Sequence, residues 1–400
     1  MMASLYKTLL SSTLAASASA VNLYAAQSDG NVASLSLTGS GSNYQLAVSS
    51  VSQECEVNPS VLTLDKENSI LYCYDRGGSV GTLNSFSTSA DGTLSRIARI
   101  EGPASGVWAE ILTAKSGKRA YSNRGGTLDT SAIGVFDLGE DGALPGSGPV
   151  QTIFPTTNKT GPIASRQDRS YSHEVIIDPT NTYVLVPDLG GDLVRVFTYA
   201  PDTIAPLVET APLTTDAGAG PRHGFFRVND AGETFFFYGG ELSQNVYSYK
   251  VTYGDSGLTF HKVFEAPALG LNSTLAVNTA PVSECAITPD QKFLIVSTRE
   301  QSFSTSALYR SGPSDTLTTW IINEDGTLTF LQNAPSGGWL PRQFSLSKAG
   351  DLLAVGHQKN NTVVIWKRDL ETGRIVTEEE GGKVGQVVVS GPVVSTIWDE

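Results

Sequence analysis

The stretch His173-Glu-Val-Ile-Ile-Asp178 decides the fold, because five other stretches repeat its plan: Ser60-Val-Leu-Thr-Leu-Asp65, Ala109-Glu-Ile-Leu-Thr-Ala114, Arg222-His-Gly-Phe-Phe-Arg227, Ser283-Glu-Cys-Ala-Ile-Thr288 and Arg342-Gln-Phe-Ser-Leu-Ser347. Each is a short β-prone run. A turn follows, then a second apolar strand, then a polar Gly-rich loop. Copies spaced roughly 50 to 65 residues apart have the period of a β-propeller, whose blades are four-stranded sheets around a central channel. Late in their repeats, Asp91-Gly-Thr-Leu, Asp141-Gly-Ala-Leu, Asp325-Gly-Thr-Leu and Glu371-Thr-Gly-Arg-Ile supply the turn residues of outer hairpins. No segment has the pattern of a sustained helix.

The two ends of the chain complete each other. Val21-Asn-Leu-Tyr-Ala-Ala and Ala33-Ser-Leu-Ser-Leu alternate at period two but lack an innermost strand, whereas Gly391-Pro-Val-Val-Ser-Thr-Ile-Trp398 begins a repeat and stops after one strand. Joined in one sheet they close the ring and remove the exposed edges of an open repeat. The expectation is an all-β, seven-bladed β-propeller with the N- and C-terminal strands in one shared blade, a single domain over residues 21–400.

Residues 1–20 read as a secretory signal. Lys7 precedes Leu9-Leu10 and Leu14-Ala-Ala, and Ala18-Ser-Ala20 fits a signal-peptidase site. Sequons at Asn158, Asn272 and Asn360 are compatible with an exported glycoprotein. A net charge of −13 and a pI near 4.8 oppose binding to nucleic acid or an anionic membrane. Three cysteines are too few for a disulfide scaffold, and no Cys-x-x-Cys is present. Cys55, before the first repeat, and Cys73, in its second strand, can pair. The preferred expectation is that Cys73 and Cys285 are buried small apolar residues.

Function should lie where the copies differ. The head of each first strand and the end of each return strand share one face of the disc, so two columns of residues converge on one channel mouth. The first holds Ser60, Ala109, His173, Arg222, Ser283 and Arg342, followed by Val61, Glu110, Glu174, His223, Glu284 and Gln343. The second holds Arg76, Arg124, Asp188, Glu241, Arg299 and His357-Gln358. Three of the four histidines fall in these columns; only His261 does not. A concave cluster of Arg, His and Glu suits acid/base chemistry on an anion, since Arg binds carboxylate or phosphate bidentately while His and Glu exchange protons. Ion pairs closing the mouth are the structural alternative.

Ser172-His-Glu-Val-Ile-Ile-Asp-Pro179, Val186-Pro-Asp-Leu-Gly190, Gly220-Pro-Arg-His223, Glu241-Leu-Ser, Pro341-Arg342 and Asn361-Thr-Val-Val-Ile-Trp366 together resemble the lactonase-type seven-bladed propellers, which include bacterial 6-phosphogluconolactonase and fungal carboxy-cis,cis-muconate cyclase. The resemblance spans essentially the whole mature chain. It implies a site at His173, Arg222, Glu241 and Arg299, with Arg342, His223, His357, Gln358 and Glu284 as secondary substrate contacts. In this assignment His173 and Glu241 exchange protons, while Arg222 and Arg299 hold the substrate. The expected substrate is a small anionic lactone or its open acid, with no cofactor and no metal. Two positions depart from the family: Tyr171 stands where many relatives have a second His, and Gly240 where they have Asn.

Two motifs are decoys. Gly77-Gly-Ser-Val-Gly81 matches the nucleophile-elbow pattern, but that motif requires a strand-to-helix turn, and here a strand follows. Gly39-Ser-Gly41 lacks the rest of a dinucleotide fingerprint. The competing function is a secreted propeller that binds a carbohydrate or protein partner at the same mouth without turnover.

Overall fold

The computed structural model describes residues 20–41, 43–126, 130–157, 161–271, 280–299 and 313–400, with backbone only at 124–126. The leader 1–19, the sequons Asn158 and Asn272, and the Arg124 side chain lie outside the described residues. So do residues 272–279 and 300–312, within two stretches that the repeat leaves as long connections.

Seven antiparallel sheets form the ring. Six are built from consecutive strands. The seventh runs Val393–Trp398, Val21–Gln27, Val32–Thr38 and Gln45–Ser52 from channel to rim, with Leu23 opposite Trp398 and Ala25 opposite Thr396. The termini therefore share a blade as the unmatched strands require. Neighbouring elements hold the closing strand too: Thr396 N donates to Gln343 Oε1 at 2.9 Å, Trp398 Nε1 to Ser345 O at 3.1 Å, and Tyr24 Oη to Asp399 at 3.0 Å.

Burial follows position in the blade. The second strand Ile70–Asp75 is buried along its whole length, since its two faces pack on neighbouring blades, whereas the rim strand Gln45–Ser52 is largely exposed. Each core cluster bridges two adjacent blades; Phe235 and Phe237 of one pack with Leu294, Val296 and Trp320 of the next. The Asp-Gly turns use their residues as chemistry demands. Gly92 and Gly326 both take φ near +81°, and the preceding Asp91 and Asp325 carboxylates each accept the backbone N–H two residues on at 3.0 Å. A single turn of 3₁₀-helix, Glu140–Gly142, is the one helical element among the described residues.

One expectation is corrected. Cys73 is not a free thiol but is bonded to Cys55, and Cys285 alone is free and buried. Cys55 lies in the connection from rim to channel between the first two blades, and this segment brings it against the second strand of the next. Ser79 of the decoy motif sits exposed in a loop between the strands Ile70–Asp75 and Gly81–Thr88.

Candidate active site at the channel mouth

Four innermost strands break register at their heads, between Pro59 and Val61, Pro221 and His223, Val282 and Cys285, and Pro341 and Gln343. A bulge re-aims side chains and lets successive residues serve one side of a strand. Here it lets Arg222 and His223, which alternation would send to opposite faces, both line the same cavity. Proline at the first position of three of these strands is the sequence mark of the bulge, because it cannot donate to the ladder.

Arg222 is 1% exposed and held at two of its nitrogens: its Nε donates to Glu241 Oε2 at 2.9 Å and its Nη1 to Ser283 O at 2.6 Å. Glu241, also buried, takes two further arginines, Arg166 at 2.5 Å and Arg299 at 3.3 Å. Burial alone would raise its pKa, but Arg222, Arg299 and Arg166 outweigh burial and hold it below the usual carboxylate value. Glu241 is thus the anion that organises the guanidinium cluster. Its assignment as a proton-transfer partner of His173 gives way to a different pairing, because His173 meets His223 instead.

His173 Nδ1 lies 3.0 Å from His223 Nε2, and His223 Nδ1 lies 2.7 Å from Glu284 Oε1. His173 is partly exposed, while His223 and Glu284 are buried beneath it. The segment carrying His173 is pinned by Asp188, which accepts from Ser170 Oγ and Tyr171 N and is itself held by Arg195. Burial, with Arg222, Arg342 and Arg299 nearby, drives the His223 pKa well below its ordinary value, so the ring is neutral. Burial pushes the Glu284 carboxyl up to about 8.

Arg342 occupies the same bulge position in its blade as Arg222 does in its own. It lines the cavity with His173, His223 and Glu284, and among the described residues it forms no salt bridge. Burial and the cations Arg222, Arg299 and Arg76 lower its pKa well below the usual guanidinium value. The cavity is small, about 10 Å3, room for about one water. Anything larger must sit above it, in the mouth. Among the described residues no group of three or more His, Cys, Asp or Glu side chains is placed to hold a metal ion.

Two secondary contacts fall elsewhere. His357 is fully buried inside its blade, between Ser336 Oγ at 3.2 Å and Thr362 Oγ1 at 3.2 Å, and burial lowers its pKa to about 3. Its strand ends at the mouth, but the ring turns into the blade. Gln358 follows it, half-buried, and does not line the cavity. Conversely, column counting overlooked Trp108 and Arg166. The Trp108 ring packs 4.6 Å from His223, one residue before the predicted strand head. Arg166 lies in the long connection before His173, outside both columns, and reaches Glu241 from there.

The departures from the family pattern have local causes or partners. A side chain at Gly240 would meet Ala219 O at 2.7 Å, so the backbone leaves no room for Asn. Tyr171 Oη donates to Asp168 at 2.8 Å, and Arg169 lies over its ring.

The class is that of a closed seven-bladed β-propeller that gathers a guanidinium cluster around Glu241 and a histidine pair at one mouth. The lactonase, 7-bladed β-propeller family matches residues 15–391, and the chain belongs to that family. Among relatives, it is 25% identical over 334 residues to a chain from Arthroderma benhamiae named "probable 6-phosphogluconolactonase", covering 80% of this chain and 76% of that one. It is 29% identical to a 6-phosphogluconolactonase from Formosa agariphila, covering 67% and 68%. The structure of a periplasmic gluconolactonase from Pseudomonas aeruginosa superposes with a TM-score of 0.73 at 22% identity, covering 95% of this chain and 99% of that one.

Proposed function

We propose that this protein hydrolyses a small lactone bearing an anionic group, of the 6-phosphogluconolactone kind for which its relatives are named, to the open-chain acid. The observation that carries the reading is Arg342, a desolvated guanidinium that forms no salt bridge among the described residues, set beside His173 in the same cavity. A desolvated charge with three more arginines around it is costly, and an anion in the mouth would offset that cost. Arg342 and Arg299 bind the substrate's negative charge, and Arg222, locked by Glu241, stabilises the oxyanion that forms at the carbonyl. His173 takes a proton from the attacking water. The new C–O bond forms at the carbonyl carbon, the ring C–O bond breaks, and the proton returns to the ring oxygen. Closure of a carboxymuconate to its lactone would be a different step: a carboxylate oxygen adds to the conjugated C=C bond, the C–C π bond is lost, and a protonated His173 delivers the proton to the neighbouring carbon.

We further propose that the mature chain is exported. The signal-like leader, the exposed Asn360 sequon and the Cys55–Cys73 disulfide support this, since disulfides persist in oxidising compartments. The deciding assay is ring opening and closure by the purified mature protein on 6-phosphogluconolactone, gluconolactone and carboxymuconates. Turnover of an anionic lactone is expected, with Arg342→Gln lowering kcat/KM about 10²–10³-fold, the usual effect of removing one charge-stabilising donor. Absence of turnover on every lactone, with a glycan bound at the mouth, would instead establish the binding-module reading.

A further inference from the structure

The buried pair His223–Glu284 is not used by the reaction as written, yet it is coupled end to end with His173. The donors and acceptors that link Glu284, His223 and His173 to one another can be assigned. Imidazole nitrogens in a neutral ring are one donor and one acceptor, so fixing one fixes the other. With Glu284 ionised, His223 donates from Nδ1 to Oε1 and accepts at Nε2. His173 then carries its proton on Nδ1, which leaves Nε2 as its basic nitrogen. With Glu284 protonated on Oε1, each bond reverses, and His173 carries its proton on Nε2 as an acid. Two distances, 3.0 and 2.7 Å, are compatible with both patterns.

We propose that Glu284, acting through His223, is the proton store of the site and sets whether His173 is a base or an acid. This rests on the lactone reading for its chemistry but not for its test. A proton taken by His173 Nε2 from water moves the Nδ1 proton to His223 Nε2 and the His223 Nδ1 proton to Glu284. One proton has entered and one is stored, and both rings are neutral before and after. The same steps reversed deliver it to the departing ring oxygen.

The surroundings explain why storage on an imidazole is disfavoured. Arg222 Nη1 is 3.0 and 3.3 Å from the two nitrogens of His223, nearly equal distances that place it over the ring face, where it opposes an imidazolium. Arg342 and Arg299 act in the same direction. Glu284 is stiffly held: Cys285 N donates to Oε1 at 3.0 Å, and Glu284 N donates to Ser297 Oγ at 2.9 Å. Among the described residues its Oε2 has no hydrogen-bond partner, so His223 and one backbone amide are the groups that bond to the carboxylate directly. Of the charged or titratable groups facing it, Arg222 and Arg342 favour the carboxylate, Glu174 from the neighbouring blade repels it when both are ionised, and the adjacent Cys285 thiol, its pKa pushed up by burial, stays uncharged. Burial tips the balance, bringing the carboxyl to about 8 and so within reach of both states near neutrality.

Histidine ¹⁵N NMR on the intact wild-type protein between pH 5 and 9 tests this directly and needs no substrate. His173 and His223 are expected to exchange their protonated nitrogens together, at one midpoint, without either ring becoming imidazolium. In Glu284→Gln the exchange should vanish, kcat should fall about 10²-fold and KM should stay within about twofold, as for loss of a proton-transfer group. Fixed tautomers across this range, or a His173 that titrates to imidazolium alike in wild type and variant, would overturn the relay. Failure to turn over any lactone would remove the proposed function and leave the tautomer result to stand or fall separately.

Discussion

Glu241 shows how one side chain can serve both stability and chemistry. It is the shared anion of Arg166, Arg222 and Arg299, so Glu241→Gln leaves three guanidinium groups without their counter-charge in a buried site. Loss of one partner from a buried pair costs roughly 3 to 5 kcal/mol, and a drop of that order is expected in urea unfolding together with loss of activity. Arg222→Lys keeps the charge but not the fork that reaches Glu241 and Ser283 O at once. Activity is expected to fall about 10²-fold or more while stability falls less than in Glu241→Gln. The channel carboxyls give a pH signature. Burial raises Glu284 from 4.5 to about 8 and Glu110 to about 7. Across this interval the folded protein retains protons that the unfolded chain has released. Their stabilising effect is therefore full below about pH 4.5 and is lost as pH rises through 7 to 8. Melting temperature should decline from pH 5 to 9, and Glu110→Gln/Glu284→Gln should flatten that decline. Equal slopes in variant and wild type would contradict the assignment.

Among the elements, the innermost strands carry the site because of their bulges. A regular strand would alternate Arg222 and His223 between the channel and the blade interior. The shift after Pro221 brings both to the cavity, and the same shift after Pro341 presents Arg342. The connection holding Cys55 is a second such device. It joins the rim strand of one blade to the channel strand of the next, and the disulfide to Cys73 anchors it across a separation of 18 residues. Cys55→Ser/Cys73→Ser should lower stability by about 2 to 4 kcal/mol in chemical denaturation, with the site unaffected. Unchanged unfolding under reducing conditions would show that the anchor contributes nothing.

The ring as a whole depends on its last strand. Val393–Trp398 is the channel strand of the shared blade, paired along Val21–Gln27. Deleting residues 391–400 removes its ladder with Val21–Gln27, the Trp398 contact to Ser345 and the Asp399 contacts to Tyr24 and Lys66. The exposed edges and lost core should consume most of the 5 to 15 kcal/mol that holds a domain folded. Size-exclusion chromatography and urea unfolding should show aggregation or an early, less cooperative transition. A truncated chain that unfolds like the intact one would mean that the ring does not need closure.

Much of this was legible without coordinates, for a physical reason. Strand alternation, Asp-Gly turns and a fixed repeat are local properties of the chain, and two unmatched ends leave one way to close a ring. The convergence of His173, Arg222, Glu241, Arg299 and Arg342 on one mouth followed from counting residues back from each turn. Counting could not tell which way a side chain leaves its strand. His357 ends a strand at the mouth yet turns into the blade, whereas the bulge turns His223 toward the channel. Nor could it pair groups held 50 to 75 residues apart, such as His173 with His223 and Arg166 with Glu241. The chain's own pattern determined the ring and its polar mouth; only packing between blades decided which charges meet, and hence which group anchors arginines and which holds a proton.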